Sequence, residues 1–292
     1  MPDKDEIGSR AQRRRDAAVL RARRRRNIAI TVAASVMLVV LLAVGGWFVY
    51  SKVRTPPRPK VKTYRVTVPE GLTVKGTAER YAEATDGAIT GEEFLTAARA
   101  GGYNYAFLKG AAQGNLEGYL FPNTYEVDST TTARQAINMM LREFSKETDD
   151  LEWSRAAGLG VTPYQVVTAA SIIEKEVKFA PERPLVSSVI YNRLNKKMKL
   201  GMCSTVLYAL GYWKPALTDK DTQVDSPYNT YRIDGLPPGP ICNPGFESIR
   251  AALYPAATNY VYFLVTSADG HQSFTADYKQ FEAWKAQQNK KQ

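Results

Sequence analysis

The chain of 292 residues has one histidine, His271, and two cysteines, Cys203 and Cys242. That scarcity removes whole classes of chemistry. A structural zinc site of four cysteines, or of two cysteines and two histidines, cannot be built from one copy. The cysteine spacing matches no redox or metal motif. No G-x-x-x-x-G-K-[ST] or G-x-G-x-x-G stretch occurs, so nucleotide cradling has no support. A triad through His271 would lack the G-x-S-x-G elbow. Nothing in the residues suggests a metal or organic cofactor. A basic folded surface is also lacking, although the formal net charge is +10. Residues 1–26 hold ten basic and four acidic side chains, and residues 51–65 hold six basic and none acidic. The remainder, 66–292, carries 23 basic against 25 acidic groups. The basicity belongs to a tail and a linker, which argues against nucleic acid as a partner.

An apolar fraction of 44% with 11% aromatics excludes a largely disordered chain, and the length allows one large domain or two modest ones. From Ile28 to Tyr50 no residue is charged. At about 1.5 Å per residue, roughly 20 such residues cross a hydrocarbon layer of ~30 Å. The run exceeds the apolar core of a signal peptide, and Trp47 and Tyr50 close it with interfacial rings. A single uncleaved anchor in the lipid bilayer is therefore expected over 28–50. Arg21 and Arg23 to Arg26 precede it, which predicts a cytoplasmic tail at 1–27 and an extracytoplasmic remainder, although Lys52, Arg54, Arg58, Lys60 and Lys62 follow it. Residues 51–63 read as a Pro-rich basic linker, with Thr55 to Pro59 a short polyproline spacer.

Beyond the linker, Tyr64 to Gly71 alternates like a strand, and helices are expected over 72–84, 91–101 and 132–147. The most sharply marked helix starts at Thr162, with Pro163 at its first position and Gln165 completing a capping box, and runs to about Lys178. On it, Val166, Ala170, Ile173 and Val177 form an apolar stripe. Glu174 and Glu176 lie roughly 80° to either side, where partial desolvation would raise a carboxyl pKa. Helix geometry does not choose between them. Pro184 to Leu194 reads as another amphipathic helix, 225–245 as a long functional loop, and Tyr260 to Phe274 as a hairpin turning at 267–270. The fold class expected is α+β: a membrane helix, an N-terminal subdomain over 64–150, a catalytic subdomain over 151–285 and a polar tail at 286–292.

The blocks VPEGLT (68–73), LEGYLFPNTYE (116–126), ASIIEKEV (170–177), ERPLVSSVIYNRL (182–194), STVLYALG (204–211), DSPYNTY (225–231), GLPPGPICNPG (235–245) and GHQSF (270–274) follow one another as they do in the endolytic murein transglycosylase family, the MltG/YceG-like proteins. The chain resembles that family over about residues 64–280. The resemblance implies cleavage of MurNAc-β-1,4-GlcNAc bonds in nascent peptidoglycan glycan strands, leaving 1,6-anhydroMurNAc ends. It also implies association with the peptidoglycan synthases of the elongation machinery. It puts the catalytic acid and base on Glu176, with Glu174 the backup. It implies substrate contacts from Tyr228, Asn229, Thr230, Tyr231, Asn192, Thr205, Asn243 and His271; the alternative for the Asn and Thr residues is loop scaffolding.

Three departures from the family pattern stand out. Cys203 and Gly201 replace the family's Asp and Gln before the S-T-V block. Two residues, Gln272 and Ser273, separate His271 from Phe274 where the family has one. The LysM-like glycan-binding element near V-P-E-G is expected to be shortened or absent. A disulfide between Cys203 and Cys242 is entertained for an extracytoplasmic domain. The competing function is a scaffold that binds glycan and recruits synthases without cutting. A hydrolase using Glu174 and Glu176 together is geometrically poor, since the two project about 160° apart.

Overall fold

A computed structural model of the chain describes residues 4–54, 61–111, 115–214 and 217–289. The polyproline spacer expected at 55–59 lies outside the described residues, as does the end of the polar tail. Two units separate at residue 60. The first holds one helix, α1 (Lys4–Arg54), whose stretch Ala18–Lys52 is long and apolar enough to cross a membrane and is unburied by protein. The helix extends far beyond the expected span. Arg, Lys, Ala and Glu are good helix formers, and once a turn exists each further residue adds a bond at little cost.

The second unit starts with a β-α-α-β motif. Strand β1 (Thr63–Thr67) is followed by α2 (Val74–Ala84) and α3 (Gly91–Ala100), and β2 (Thr124–Asp128) returns antiparallel to β1, pairing Thr63 with Asp128 and Val66 with Tyr125. Thr73 and Thr90 cap the helices with their side chains, the second in a full capping box. Val66, Ala78, Tyr81, Ile89 and Phe94 are buried together. In the segment whose glycan-binding element is expected to be shortened or absent, these side chains join the core shared with the rest of the unit. Helix α4 (Ala133–Glu147) and the single turn α5 (Arg155–Gly158) lead from it.

The second half is built around α6 (Pro163–Glu176). Its Thr162–Gln165 capping box and N-terminal proline form as the sequence predicts. The expected single apolar stripe does not: every residue from Val166 to Ile173 is buried, because α6 is packed on several sides by α7 (Arg183–Asn195), α8 (Cys203–Leu210) and α9 (Phe246–Leu253). Helix α7 likewise buries six consecutive residues, Val186 to Tyr191, rather than one face. Several polar members of these helices bond the backbone: Thr168, Ser188 and Thr205 donate to carbonyls three or four residues back, and Ser171 Oγ donates to Thr168 O and accepts from Ile241 N. Residues 225–245 carry no regular element and pass over α6. The hairpin of β3 (Tyr262–Val265) and β4 (Gln272–Thr275) forms where expected, and α10 (Tyr278–Asn289) packs against it.

Candidate active site

Helix α6 ends at Glu176, so both candidate carboxylates lie in its last turn. Glu176 is partly buried and its Oε1 accepts the Ser204 backbone N–H at 3.0 Å, in the first turn of α8. Burial raises its carboxyl pKa above the ordinary glutamate value, while Ser204 and the Arg193 guanidinium pull the other way without cancelling the shift. A carboxyl held this way keeps a proton at a pH where an exposed glutamate has lost it.

Glu174 faces elsewhere. Its Oε2 accepts from Gly245 N at 3.0 Å and from Ser248 Oγ at 2.7 Å, which caps the N-terminus of α9, and Arg183 Nη2 stands 3.7 Å from Oε1. The side chain is 8% exposed and fully engaged by protein. The carboxylates therefore diverge, one onto α8 and the other onto α9, as their separation in azimuth requires. Between them, Lys175 sets its ammonium 4.0 Å from the Trp213 ring centroid and 3.4 Å from Gly71 O.

The expected substrate contacts divide into two groups. Asn243 is buried: its Oδ1 accepts from Gly118 N and Leu120 N, and its Nδ2 donates to Leu72 O. Asn229 gives Nδ2 to Thr222 O and Val224 O and accepts from Tyr231 N. Thr230 and Thr205, both buried, bond each other at 2.9 Å and tie the loop to Met202. Asn192 donates to Thr258 O and Tyr260 O. In this structure these five hold loops together, the scaffolding alternative. Tyr231, 37% exposed, and the partly buried Tyr228 present ring surface. Tyr231 also lies close enough to Glu176 for its hydroxyl and the carboxyl to feel each other's charge. His271 gives Nδ1 to a 2.7 Å contact with Glu182 Oε1 and stacks on Phe179 with centroids 3.8 Å apart.

The entertained disulfide does not form. Cys203 is exposed, with Sγ 3.2 Å from Tyr231 Oη, whereas Cys242 is buried and directs Sγ to Ser171 O at 3.3 Å. The two thiols serve different neighbours because Cys203 opens α8 while Cys242 lies in the loop that passes over α6. Cys203 thus immediately precedes Ser204, whose N–H meets Glu176 Oε1.

Sequence reasoning passed over three groups near these residues. Arg193, inside the N-R-L block, donates Nε to Val261 O at 2.6 Å and also bonds Leu200 O. Glu117, inside L-E-G-Y-L-F-P, is 6% exposed; its Oε1 accepts from Val74 N at the start of α2, and burial pushes its carboxyl up to about 8. Gln272 donates to the backbone carbonyl of Glu176 at 2.8 Å. Their membership in the matching blocks was the only signal available. Among the described residues, no group of three or more His, Cys, Asp or Glu could hold a metal ion.

A family model described as the YceG-like family matches residues 48–287. Among curated proteins, the chain is 43% identical over 166 residues to the endolytic murein transglycosylase of Bacillus subtilis, a match covering 56% of this chain and 46% of that protein. It is 31% identical over 239 residues to the endolytic murein transglycosylase of Streptococcus pneumoniae strain R6, covering 74% of this chain and 42% of that one. The chain thus spans less than half the length of these relatives. A crystallised yceG-like protein from Listeria monocytogenes superimposes with a TM-score of 0.67 at 33% identity, over 75% of each chain.

Proposed function

This chain belongs to the YceG-like family, and from that premise we propose that it is a membrane-anchored endolytic peptidoglycan transglycosylase. Its substrate is the nascent glycan strand and its products end in 1,6-anhydroMurNAc. The bilayer is engaged through residues 28–50, the basic tail is cytoplasmic, and the catalytic unit works outside the cytoplasmic membrane beside the synthases that make the strand. Relatives named for this activity support the reading.

The observation that carries the mechanism is the setting of Glu176. The reaction needs one carboxyl group that is protonated first and ionised afterwards. Protonated Glu176 donates to the glycosidic oxygen as its bond to the MurNAc anomeric carbon breaks. The resulting carboxylate takes the proton of the same sugar's 6-hydroxyl as that oxygen closes on the anomeric carbon. The carboxyl ends with its proton restored, and no water is consumed. Burial favours the protonated start, and the Ser204 N–H with the Arg193 charge stabilises the ionised middle. A single carboxyl suffices; Glu174 is spent on α9 and does not approach the same bond. Tyr231 and Tyr228 offer faces for sugar rings.

The test incubates the full-length chain in detergent with purified un-crosslinked glycan strands, with products read by mass spectrometry. Internal fragments with anhydro ends are expected, and Glu176→Gln lowers their rate by about 10²–10⁴-fold. Cys203 in the place of an acidic residue favours the second reading, a non-cutting scaffold. Glycan binding without any products from a folded wild type would establish that one instead.

A further inference from the structure

Glu176 is the last residue of α6, a poor place from which to aim a catalytic group. The final four carbonyls of a helix lack intrahelical partners and the last turn frays. Here Val177 N still reaches Ile173 O, at 3.1 Å. The carbonyl of Glu176 itself is held from outside, by Gln272 Nε2 at 2.8 Å. Gln272 opens β4, opposite Val265 in the hairpin register. It is one of the two residues that stand between His271 and Phe274 where the family pattern has one.

The hairpin end is fixed in turn by Glu182, which follows α6 by six residues and is 7% exposed. Its Oε1 accepts both from Gln272 N at 3.2 Å and from the His271 ring at 2.7 Å. On the other side Lys178 Nζ bonds Asp269 O at 2.8 Å. A closed circuit results: the end of α6, Gln272, the hairpin backbone, Glu182, and the short link back to α6. Two polar atoms of this circuit, Glu182 Oε2 and Gln272 Oε1, are buried with no hydrogen-bond partner among the described residues. An unpaired buried acceptor destabilises a fold.

We infer that Gln272, held by Glu182, is a positioning residue that fixes the backbone at Glu176 and so aims its carboxyl. The inference rests on the reading of Glu176 as the catalytic acid. Fixing the carbonyl fixes the backbone torsion on one side of the Glu176 Cα, and with it the direction of the side chain. A general acid must sit within about 2.6–3.2 Å of the oxygen it protonates, and a misplacement of about 1 Å costs on the order of 10²-fold.

The experiment compares full-length wild type with Gln272→Met, Glu182→Leu and Glu182→Gln in detergent, measuring anhydro-end release, the thermal midpoint and amide hydrogen exchange at Val177. Gln272→Met is expected to lower kcat by about 10–100-fold, with KM and the thermal midpoint close to wild type and the Val177 amide exchanging faster. Glu182→Leu lowers kcat to a similar extent and also lowers the thermal midpoint, because Gln272 N and the His271 ring lose their acceptor, and Glu182→Gln, which keeps the Oε1 acceptor, recovers both. A Gln272→Met variant with wild-type kcat, or one whose loss follows a lowered thermal midpoint, overturns the inference. If the wild type releases no anhydro ends, the functional reading fails, and exchange decides the positioning claim alone. Faster exchange at Val177 in Gln272→Met supports it, and unchanged exchange overturns it.

Discussion

Glu174 and Glu176 carry the same functional group two positions apart, and their surroundings give them different work. Glu174 accepts two hydrogen bonds at the start of α9 and stands beside Arg183. Its replacement by alanine leaves Gly245 N, Ser248 Oγ and a mostly buried guanidinium short of a partner. Glu174→Ala is expected to destabilise by about 1–3 kcal/mol, read as a lower urea midpoint. Glu176→Gln keeps shape and removes only the proton chemistry, so its midpoint stays near wild type while turnover falls by about 10²–10⁴-fold; the reverse pattern would exchange the two roles. Glu117 makes a third case. Its carboxyl sits at about 8 in the fold, against about 4.3 in an unfolded chain. Between those values the folded state keeps a proton that the unfolded state has released. The stability this group contributes is fully present below the unfolded pKa and is lost as pH rises through the folded one, by on the order of a few kcal/mol. Glu117→Gln is therefore expected to bring together the urea midpoints measured at about pH 5 and about pH 8; an unaltered gap would contradict the burial argument. Neither the capping role of Glu174 nor the burial of Glu117 was legible in the sequence. Both depend on which distant helix start, α9 or α2, meets the side chain, and no local pattern encodes that.

At the scale of elements, legibility followed the length and capping of each segment. Helix α6 was readable because Thr162, Pro163 and Gln165 mark its start and its apolar residues recur. The hairpin was readable from its turn residues. Helices α8 and α9 have eight residues each and no cap from the side chain of their own first residue, so nothing local distinguishes them from loop, yet α8 supplies the Ser204 N–H that meets Glu176. The scaffolding asparagines illustrate the same limit. Asn243, a candidate glycan contact with loop scaffolding as its alternative, joins the turn after β1, the L-E-G-Y-L segment and the proline-rich loop. That junction is tight. Gly118 has φ +94°, and a Cβ there would lie 2.6 Å from Pro240 Cγ and 2.9 Å from Val167 Cγ1. Gly118→Ala is expected to cost about 2–4 kcal/mol from backbone strain and overpacking together, seen as a reduced urea midpoint. A loss below about 0.5 kcal/mol would mean that the proline-rich loop yields freely.

For the molecule as a whole, charge and hydropathy separate an apolar helix flanked by basic residues from a slightly acidic folded unit. That division was legible from composition alone, because bilayer thickness sets a length that few soluble helices meet without charge. The full chain is expected to stay with membranes through a wash at about 1 M salt, where the Debye length falls to about 3 Å and electrostatic attachment is screened. Detergent should be needed to release it, and release by salt alone would reduce α1 to a surface contact. On the proposed activity, tethering of this kind would confine cutting to strands near the bilayer, the expected place of nascent glycan.

The central claim is that one buried-edge carboxyl cleaves glycan without water. The most direct measurement runs the reaction in water enriched in heavy oxygen and weighs the newly formed ends. The account predicts ends lighter by one water than a hydrolytic product, with no heavy oxygen incorporated, and their disappearance in Glu176→Gln. Heavy oxygen at the new reducing ends would identify a hydrolase and contradict the account.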